Sequence, residues 1–127
     1  MPAVSKTTAP VAEQMGSMQG HYGQLADYTV GFESYGEDLD AAPVFAGLPD
    51  DRCQSQHWGY VVSGAITLRY ADHEETYRAG DAYYAPPGHT PAVTAGSEIV
   101  EFSPTAALQE TMAVVARNVA ALHAARA

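Results

Sequence analysis

The 127-residue sequence has few basic residues, a single cysteine and no apolar run of the ~20 residues that a membrane-spanning helix needs. Six lysines and arginines stand against 15 acidic residues, which gives a formal net charge of −9. Such a charge repels phosphate backbones and anionic lipid surfaces, so we expect neither a nucleic acid nor a membrane as partner. One cysteine excludes an intrachain disulfide and is typical of a reducing compartment, so we expect a cytoplasmic protein.

Short strand-like segments separated by turn residues make up the middle of the chain. Apolar and polar residues alternate over 28–32 and 66–70, as they do in strands with one buried face. Turn-forming pairs such as Ser63-Gly64 and Gly80-Asp81 interrupt the segments. Short strands at this spacing predict an all-β sandwich or barrel.

The two ends of the chain differ from the middle. Residues 1–20 show no clean periodicity, and we expect a loose N-terminal arm in which Val11–Met18 fits a short helix. Residues 105–126 contain no glycine or proline and carry apolar residues at helical spacing, with Ser103 as a helix cap. We therefore divide the chain into an arm (1–20), a barrel (21–103) and a C-terminal helix (104–127). The apolar stripe of that helix consists of Leu108, Met112, Val115, Val119 and Leu122.

Two blocks of the sequence, residues 53–64 and 80–91, hold side chains that suit a metal ion. Cys53 and His57 are four positions apart, so they share one face of a strand, and Asp51 joins them if the strand extends that far. His89 follows a Pro-Pro-Gly turn in the second block. Thiolate and imidazole ligands favour zinc, iron or copper over magnesium or calcium.

The first block resembles the first motif of the cupin superfamily of small β-barrels, G-x5-H-x-H-x3-4-E-x6-G. Gly64 aligns with the last glycine of that motif. His57 then takes the place of the family's glutamate, Cys53 that of the second histidine and Asp51 that of the first. The resemblance therefore implies a metal site with an altered set of ligands.

The second block resembles the second cupin motif, G-x5-P-x-G-x2-H-x3-N. Gly80, Pro86 and Gly88 match the start of that motif in order. Pro91 occupies the position of the family's histidine, and His89 lies two positions earlier.

The resemblance implies an all-β fold, a cupin-like double-stranded β-helix or jelly-roll barrel with an N-terminal arm and a C-terminal α-helix. It also implies that the second motif lies beside the first, where His89 becomes a third ligand after Cys53 and His57. We expect one divalent transition metal, zinc, iron or copper, with an open position for water or substrate. An alternative set, Asp51 with both histidines, is the kind associated with ferrous oxygen chemistry.

The neighbouring tyrosines Tyr83 and Tyr84 are candidates for the lining of the pocket. Adjacent strand residues point to opposite faces, so one tyrosine points into the barrel, where it either holds a ligand or fills the interior. Glu98 and Glu101 also lie on opposite faces of one strand, so at most one of these carboxylates reaches the pocket as a general base. A buried free thiol, an interior histidine bonded to the backbone and a turn histidine facing solvent are the structural alternatives for the three ligands.

Three functions remain open. The first is a metal-dependent oxygenase, isomerase or lyase that acts on a small organic acid or aromatic compound. The second is a barrel that binds or senses a small molecule without turnover, and the third is a metal-free dimeric barrel. We expect a homodimer, because the apolar helix stripe and the open sheet edges both need cover.

Overall fold

The structure is a computed structural model that describes residues 3–126. Alternating apolar and polar side chains form short strands through the middle of the chain, and the Ala-rich C-terminal segment forms one helix. Two short 3₁₀ turns, Ala42–Phe45 and Pro49–Asp51, lie between the strand that ends at Asp40 and the strand that begins at His57. The elements are β1 (Val11–Met15), β2 (Met18–Leu25), β3 (Tyr28–Tyr35), β4 (Leu39–Asp40), β5 (His57–Ser63), β6 (Ala65–Arg69), β7 (Glu74–Arg78), β8 (Ala82–Ala85), β9 (Thr90–Val93), β10 (Glu98–Pro104) and α1 (Thr105–Arg126).

Two antiparallel sheets form the barrel. One sheet has six strands in the order β1-β2-β3-β10-β5-β8, and the other has four in the order β4-β9-β6-β7. Every second side chain of these strands points inward, and the apolar ones, among them Val61, Leu68 and Ile99, form the core between the sheets. The all-β class and the barrel with a C-terminal helix are therefore confirmed.

The N-terminal segment is not the loose arm with a helix over Val11–Met18 that the sequence predicts. β1 and β2 form a hairpin, in which Met15 pairs with Met18. Gly16, with φ +57, opens the two-residue turn, where glycine tolerates a backbone conformation that other residues avoid. β2 then pairs with β3 along its whole length, so these hydrogen bonds fix a segment without clear periodicity as the edge of the larger sheet.

The C-terminal helix packs on the barrel of its own chain. The Asn118 side-chain amide donates hydrogen bonds to the carbonyls of Val44 and Ala46 at 2.7 and 2.8 Å. Val115 is buried in a cluster with Phe45 and Cys53, so the apolar stripe faces the protein interior. The helix thereby covers one end of the barrel.

The predicted helix cap is wrong, because Ser103 belongs to β10 and its hydroxyl contacts His57. Among residues 3–126, no helix combines the length and the apolar character needed to cross a bilayer.

Candidate metal centre and ligand cavity

A short backbone bridge brings the two sequence blocks together. The amide of Cys53 donates to the carbonyl of His89, and the amide of Gly88 donates to the carbonyl of Cys53, both at 2.8 Å. Gly88 has φ +99, a value that lets the chain reverse after Pro86 and that side chains disfavour. The bridge places the second block beside the strand residues of the first.

Cys53, His57 and His89 converge inside the barrel. One potential ligand atom from each side chain lies within 4.8 Å of the other two. Only 3% of Cys53, 6% of His57 and 2% of His89 is exposed. The Cys53 Sγ is 3.5 Å from His57 Nε2, and the two imidazole ring centres are 5.1 Å apart. The sequence expectation that these three residues meet at one place is met.

Each histidine is oriented through its Nδ1 atom. His89 Nδ1 donates to the carbonyl of Pro86 at 2.8 Å, which leaves the lone pair on Nε2. His57 Nδ1 lies 2.6 Å from the Ser103 hydroxyl, while its Nε2 faces Cys53. A hydrogen bond to the non-ligating nitrogen is the usual way in which proteins aim an imidazole at a metal.

Burial sets the protonation states of the three side chains. It lowers the pKa of His57 to about 4, and burial together with nearby His57 lowers the pKa of His89. Both imidazoles are therefore neutral near pH 7, the form that binds metals. Burial raises the pKa of the Cys53 thiol to about 11, so a metal that binds there would displace the thiol proton. One sulfur and two nitrogen donors fit zinc, copper or iron.

Asp51 is not part of this cluster, contrary to the prediction that it joins Cys53 and His57. Its side chain is exposed, and its Oδ1 accepts a hydrogen bond from the Gly47 amide at 2.9 Å. The strand does not extend to this residue, because Asp50 and Asp51 both adopt positive φ in a tight turn. The alternative set of two histidines and Asp51 is therefore not formed.

Pro91, which occupies the position of the histidine in the second cupin motif, lines the same cavity as the three side chains. His89 and Pro91 are two residues apart, so their side chains share a face, and both line the same cavity. A histidine two positions early thus reaches the interior that the family's histidine would reach.

A cavity of about 320 Å³, here called the central cavity, lies between the Cys53, His57 and His89 cluster and helix α1. Glu33, Tyr35 and Glu101 line its wall on the six-stranded sheet. The five apolar stripe residues of the helix, predicted from the sequence as one face, form its roof. Its volume lies within the range of small-molecule sites.

A second cavity of about 340 Å³, here called the hairpin cavity, lies between the β1–β2 hairpin and the start of α1. Glu33, Glu101, Leu108 and Met112 line both cavities. The two carboxylates therefore stand where the two spaces adjoin.

Glycines and tyrosines that alternate across the six-stranded sheet place the carboxylates. In register across the strands lie Tyr83, Gly59, Glu101, Gly31 and Tyr22. A side chain at Gly59 would collide with the Tyr83 ring, and one at Gly31 would collide with the Tyr22 ring. The missing side chains let both rings lie flat across the sheet beside Glu101.

Each tyrosine hydroxyl holds one carboxylate. Tyr83 donates to Glu101 Oε2 at 2.5 Å, and Tyr22 donates to Glu33 Oε2 at 2.7 Å. Burial and the charge of Glu101 raise the pKa of Glu33 to about 7, and burial also raises the pKa of Glu101. The interior therefore holds two carboxyl groups for which ionisation is costly.

The two tyrosines named from the sequence point to opposite faces, as alternation requires. Tyr83 points inward, where it stacks on Tyr77 and supports Glu101 without lining the central cavity. Tyr84 is 45% exposed on the outer face and bonds to Gln56, so its assignment to the pocket lining is wrong.

Sequence reasoning gave no role to Glu33. It allowed one of Glu98 and Glu101 to reach the pocket, and Glu101 is the one that does. Glu33 shares the inward face of β3 with Gly31 and Tyr35. Because alternate residues of a strand share a face, a carboxylate between a glycine and a tyrosine is the sequence pattern that indicates its inward position.

Comparison with known proteins gives one family model and several solved structures of the same fold. The family model described as "Cupin domain" matches residues 49–102, which include both motif blocks. No curated protein sequence matches the chain.

Three solved structures show the same fold at low sequence identity. A protein of unknown function from Rhizobium leguminosarum bv. viciae 3841 is 17% identical, with a TM-score of 0.56 over 81% of this chain and 95% of that one. The polyketide cyclase RemF from Streptomyces resistomycificus is 16% identical, with a TM-score of 0.56 over 82% and 79% of the two chains. An RmlC-like cupin from Shewanella frigidimarina NCIMB 400 is 18% identical, with a TM-score of 0.53 over 80% and 88%.

Proposed function

Because this chain is a small cupin-domain protein, we propose that it binds one divalent transition metal through Cys53, His57 and His89 and a small organic molecule in the central cavity. The observation that carries the proposal is the convergence of three buried donors, two of them imidazoles held through Nδ1.

We propose zinc as the ion. Thiolate and imidazole are both zinc ligands, and three protein ligands leave the fourth position open for water or substrate, as in catalytic zinc sites. The carboxylate needed for a ferrous oxygenase set is missing, because Asp51 is exposed and Glu101 approaches His57 at Nδ1, 3.8 Å away, on the side opposite to Cys53. When bound, zinc would polarise a carbonyl group or acidify a water molecule.

We propose that the protein is an isomerase or lyase rather than an oxygenase. Glu33 lines the cavity, and a pKa of about 7 allows it to take up and release a proton at neutral pH. The helix roof covers one side of this space. RemF is named as a cyclase, so the same fold hosts an enzyme in that protein.

Zinc titration of protein made without a histidine tag tests the metal centre. Chelator-treated wild type should regain one zinc per chain, and His57→Ala should lower the zinc affinity about 100-fold because one of three ligands is lost. His73→Ala is the matched control, since His73 lies in an exposed loop beside Asp72. Zinc affinity that is equal in wild type and His57→Ala would contradict the ligand assignment.

A further inference from the structure

We propose that the central cavity selects neutral or cationic molecules that carry a hydroxyl or amine group on an apolar body, and that it discriminates against organic acids. This inference rests on the proposed function, since it names the class of molecule that the same cavity binds. The residues that set the selection are Glu33 and Glu101.

The cavity walls provide two carboxyl groups, and a zinc ion with the Cys53 thiolate would add one positive charge, fewer than the two negative charges of the ionised carboxylates. Among the residues that the structure describes, no lysine or arginine lines the central or the hairpin cavity. An organic acid in this space would face two carboxyl groups without a cationic side chain to pair with, and like charges in contact are strongly unfavourable.

The tyrosine hydroxyls leave carboxylate oxygens free to accept a hydrogen bond from a molecule in the central cavity. Tyr83 uses Oε2 of Glu101, while Oε1 lies 3.8 Å from His57 Nδ1, beyond hydrogen-bonding distance. A carboxylate oxygen accepts more than one hydrogen bond, and an O–H or N–H of a ligand is the donor that it needs. A hydroxyl or ammonium group of a ligand can therefore donate a hydrogen bond to Glu101, whereas a ligand carboxylate has no proton to donate.

The roof of the cavity determines the rest of the molecule. Leu108, Met112 and Val115 present apolar side chains opposite the carboxylates. A flat ring system can pack against this surface while a polar substituent reaches Glu33 or Glu101. The cavity thus has one apolar side and one hydrogen-bond-accepting side.

A pair of probes that differ in one substituent tests the selection. The probes are 2-naphthol and 2-naphthoate at about pH 8, where the first is largely uncharged and the second is an anion. Calorimetric titration of the full chain, both zinc-loaded and zinc-free, should show 2-naphthol binding about tenfold more tightly in each form. The zinc-free arm removes direct coordination of the naphthoate carboxylate by the metal.

Charge-neutral variants identify the residues responsible. The double variant E33Q/E101Q keeps the shape of both side chains and should tighten 2-naphthoate binding about tenfold, which brings the ratio of the two dissociation constants near one. Glu98→Gln is the matched control, because Glu98 lies on the outer face of the same strand and pairs with Lys6. Its ratio should equal that of wild type.

The outcomes separate this inference from the metal centre. Tighter binding of 2-naphthoate by zinc-free wild type, or an unchanged ratio in E33Q/E101Q, would overturn the inference even if zinc binds with one equivalent. Preference for 2-naphthol in a protein that takes up no zinc would support the inference and refute the metal centre. Failure of both probes to bind would refute both the cavity's role and its selectivity.

Discussion

At the residue scale, two glycines govern the chemistry of the interior. Gly59 and Gly31 flank Glu101 in the cross-strand row, and each leaves space for a tyrosine ring. Tyr83 and Tyr22 fill those spaces and hold the two carboxylates by their hydroxyls. Positions without side chains are therefore as important for the pocket as those that carry functional groups.

The raised pKa of Glu33 makes the stability of the metal-free protein depend on pH. Because the folded-state pKa is about 7 and the ordinary value is 4.5, the folded state binds this proton more tightly than the unfolded chain. The contribution of this proton to the free energy of unfolding is therefore fully present below about pH 4.5 and is lost as the pH rises through 7. Its size is about 2 kcal/mol between pH 5 and 8.

Urea denaturation of wild type and Glu33→Gln at these two pH values measures the contribution. On going from pH 8 to 5, the unfolding free energy of wild type should change by about 2 kcal/mol more in the stabilising direction than that of the variant, because the buried histidines, whose lowered pKa values act in the opposite direction, are present in both proteins. Glu110→Gln, on the exposed face of α1, is the control and should keep the wild-type difference. An equal pH dependence in wild type and Glu33→Gln would show that the carboxyl group is not held in a costly environment.

The sequence predicts that Cys53, His57 and His89 meet, because simple rules place these three residues. Cys53 and His57 share a face by their four-residue spacing, and the Pro-Pro-Gly turn delivers His89 to the bridge beside Cys53. The prediction that Asp51 joins them is wrong because positive φ values end the strand, and local sequence does not reveal such values at an Asp-Asp pair. Glu33 escapes prediction because its burial depends on pairing between strands distant in sequence.

At the scale of elements, helix α1 closes the central cavity. Its stripe follows from sequence periodicity alone, but its partner does not, because the same stripe fits a barrel or a second subunit. The Asn118 hydrogen bonds to the 3₁₀ turn Ala42–Phe45 and the burial of Val115 show that the partner is its own barrel. The β1–β2 hairpin escaped prediction because the side chains of β1 are mostly exposed and show no alternation.

Enlarging a roof residue should exclude the probe and spare the metal. Met112 lines both cavities, so Met112→Trp places an indole where the naphthalene ring would lie. We expect 2-naphthol affinity to fall about tenfold and zinc stoichiometry to stay at one, since the ligand residues lie on the barrel. Ala116→Trp, on the exposed face of the helix, is the matched control. Undiminished 2-naphthol binding in Met112→Trp would place the ligand elsewhere.

At the scale of the whole molecule, the outer face of the six-stranded sheet is unusually apolar. Even-numbered residues of β5 and their neighbours form one exposed patch, in which Trp58 lies 5.9 Å from Tyr28 and 5.2 Å from Tyr84 between ring centres. The patch consists of Tyr28, Trp58, Tyr60, Val62, Tyr84 and Phe102. At about two-fifths exposure each, six such side chains offer roughly 500 Å².

We propose that a second copy of the chain covers this patch. A stable interface needs about 800 Å² from each partner, so the patch suits the apolar centre of a symmetric dimer. Two molecules that each carry a net charge of −9 repel one another elsewhere, and a patch without charged side chains is where they can approach.

Sedimentation velocity tests the dimer. Wild type should sediment as a dimer at micromolar concentration, and Trp58→Glu should shift it to monomer because two added carboxylates meet at the symmetric contact. Leu39→Glu, at an exposed apolar position of the four-stranded sheet, should leave the dimer intact. A monomeric wild type, or a dimeric Trp58→Glu variant, would refute this arrangement.

Ser103, which orients the His57 imidazole, lies next to helix α1, which covers the central cavity. Ser103, whose hydroxyl contacts His57 Nδ1, lies only two positions before the first residue of α1. A bound molecule that shifts the end of β10 as it occupies the space under the helix would therefore move a partner of His57. If both sites are occupied as proposed, occupancy of the cavity and affinity for the ion are coupled, and each changes the other by the same factor.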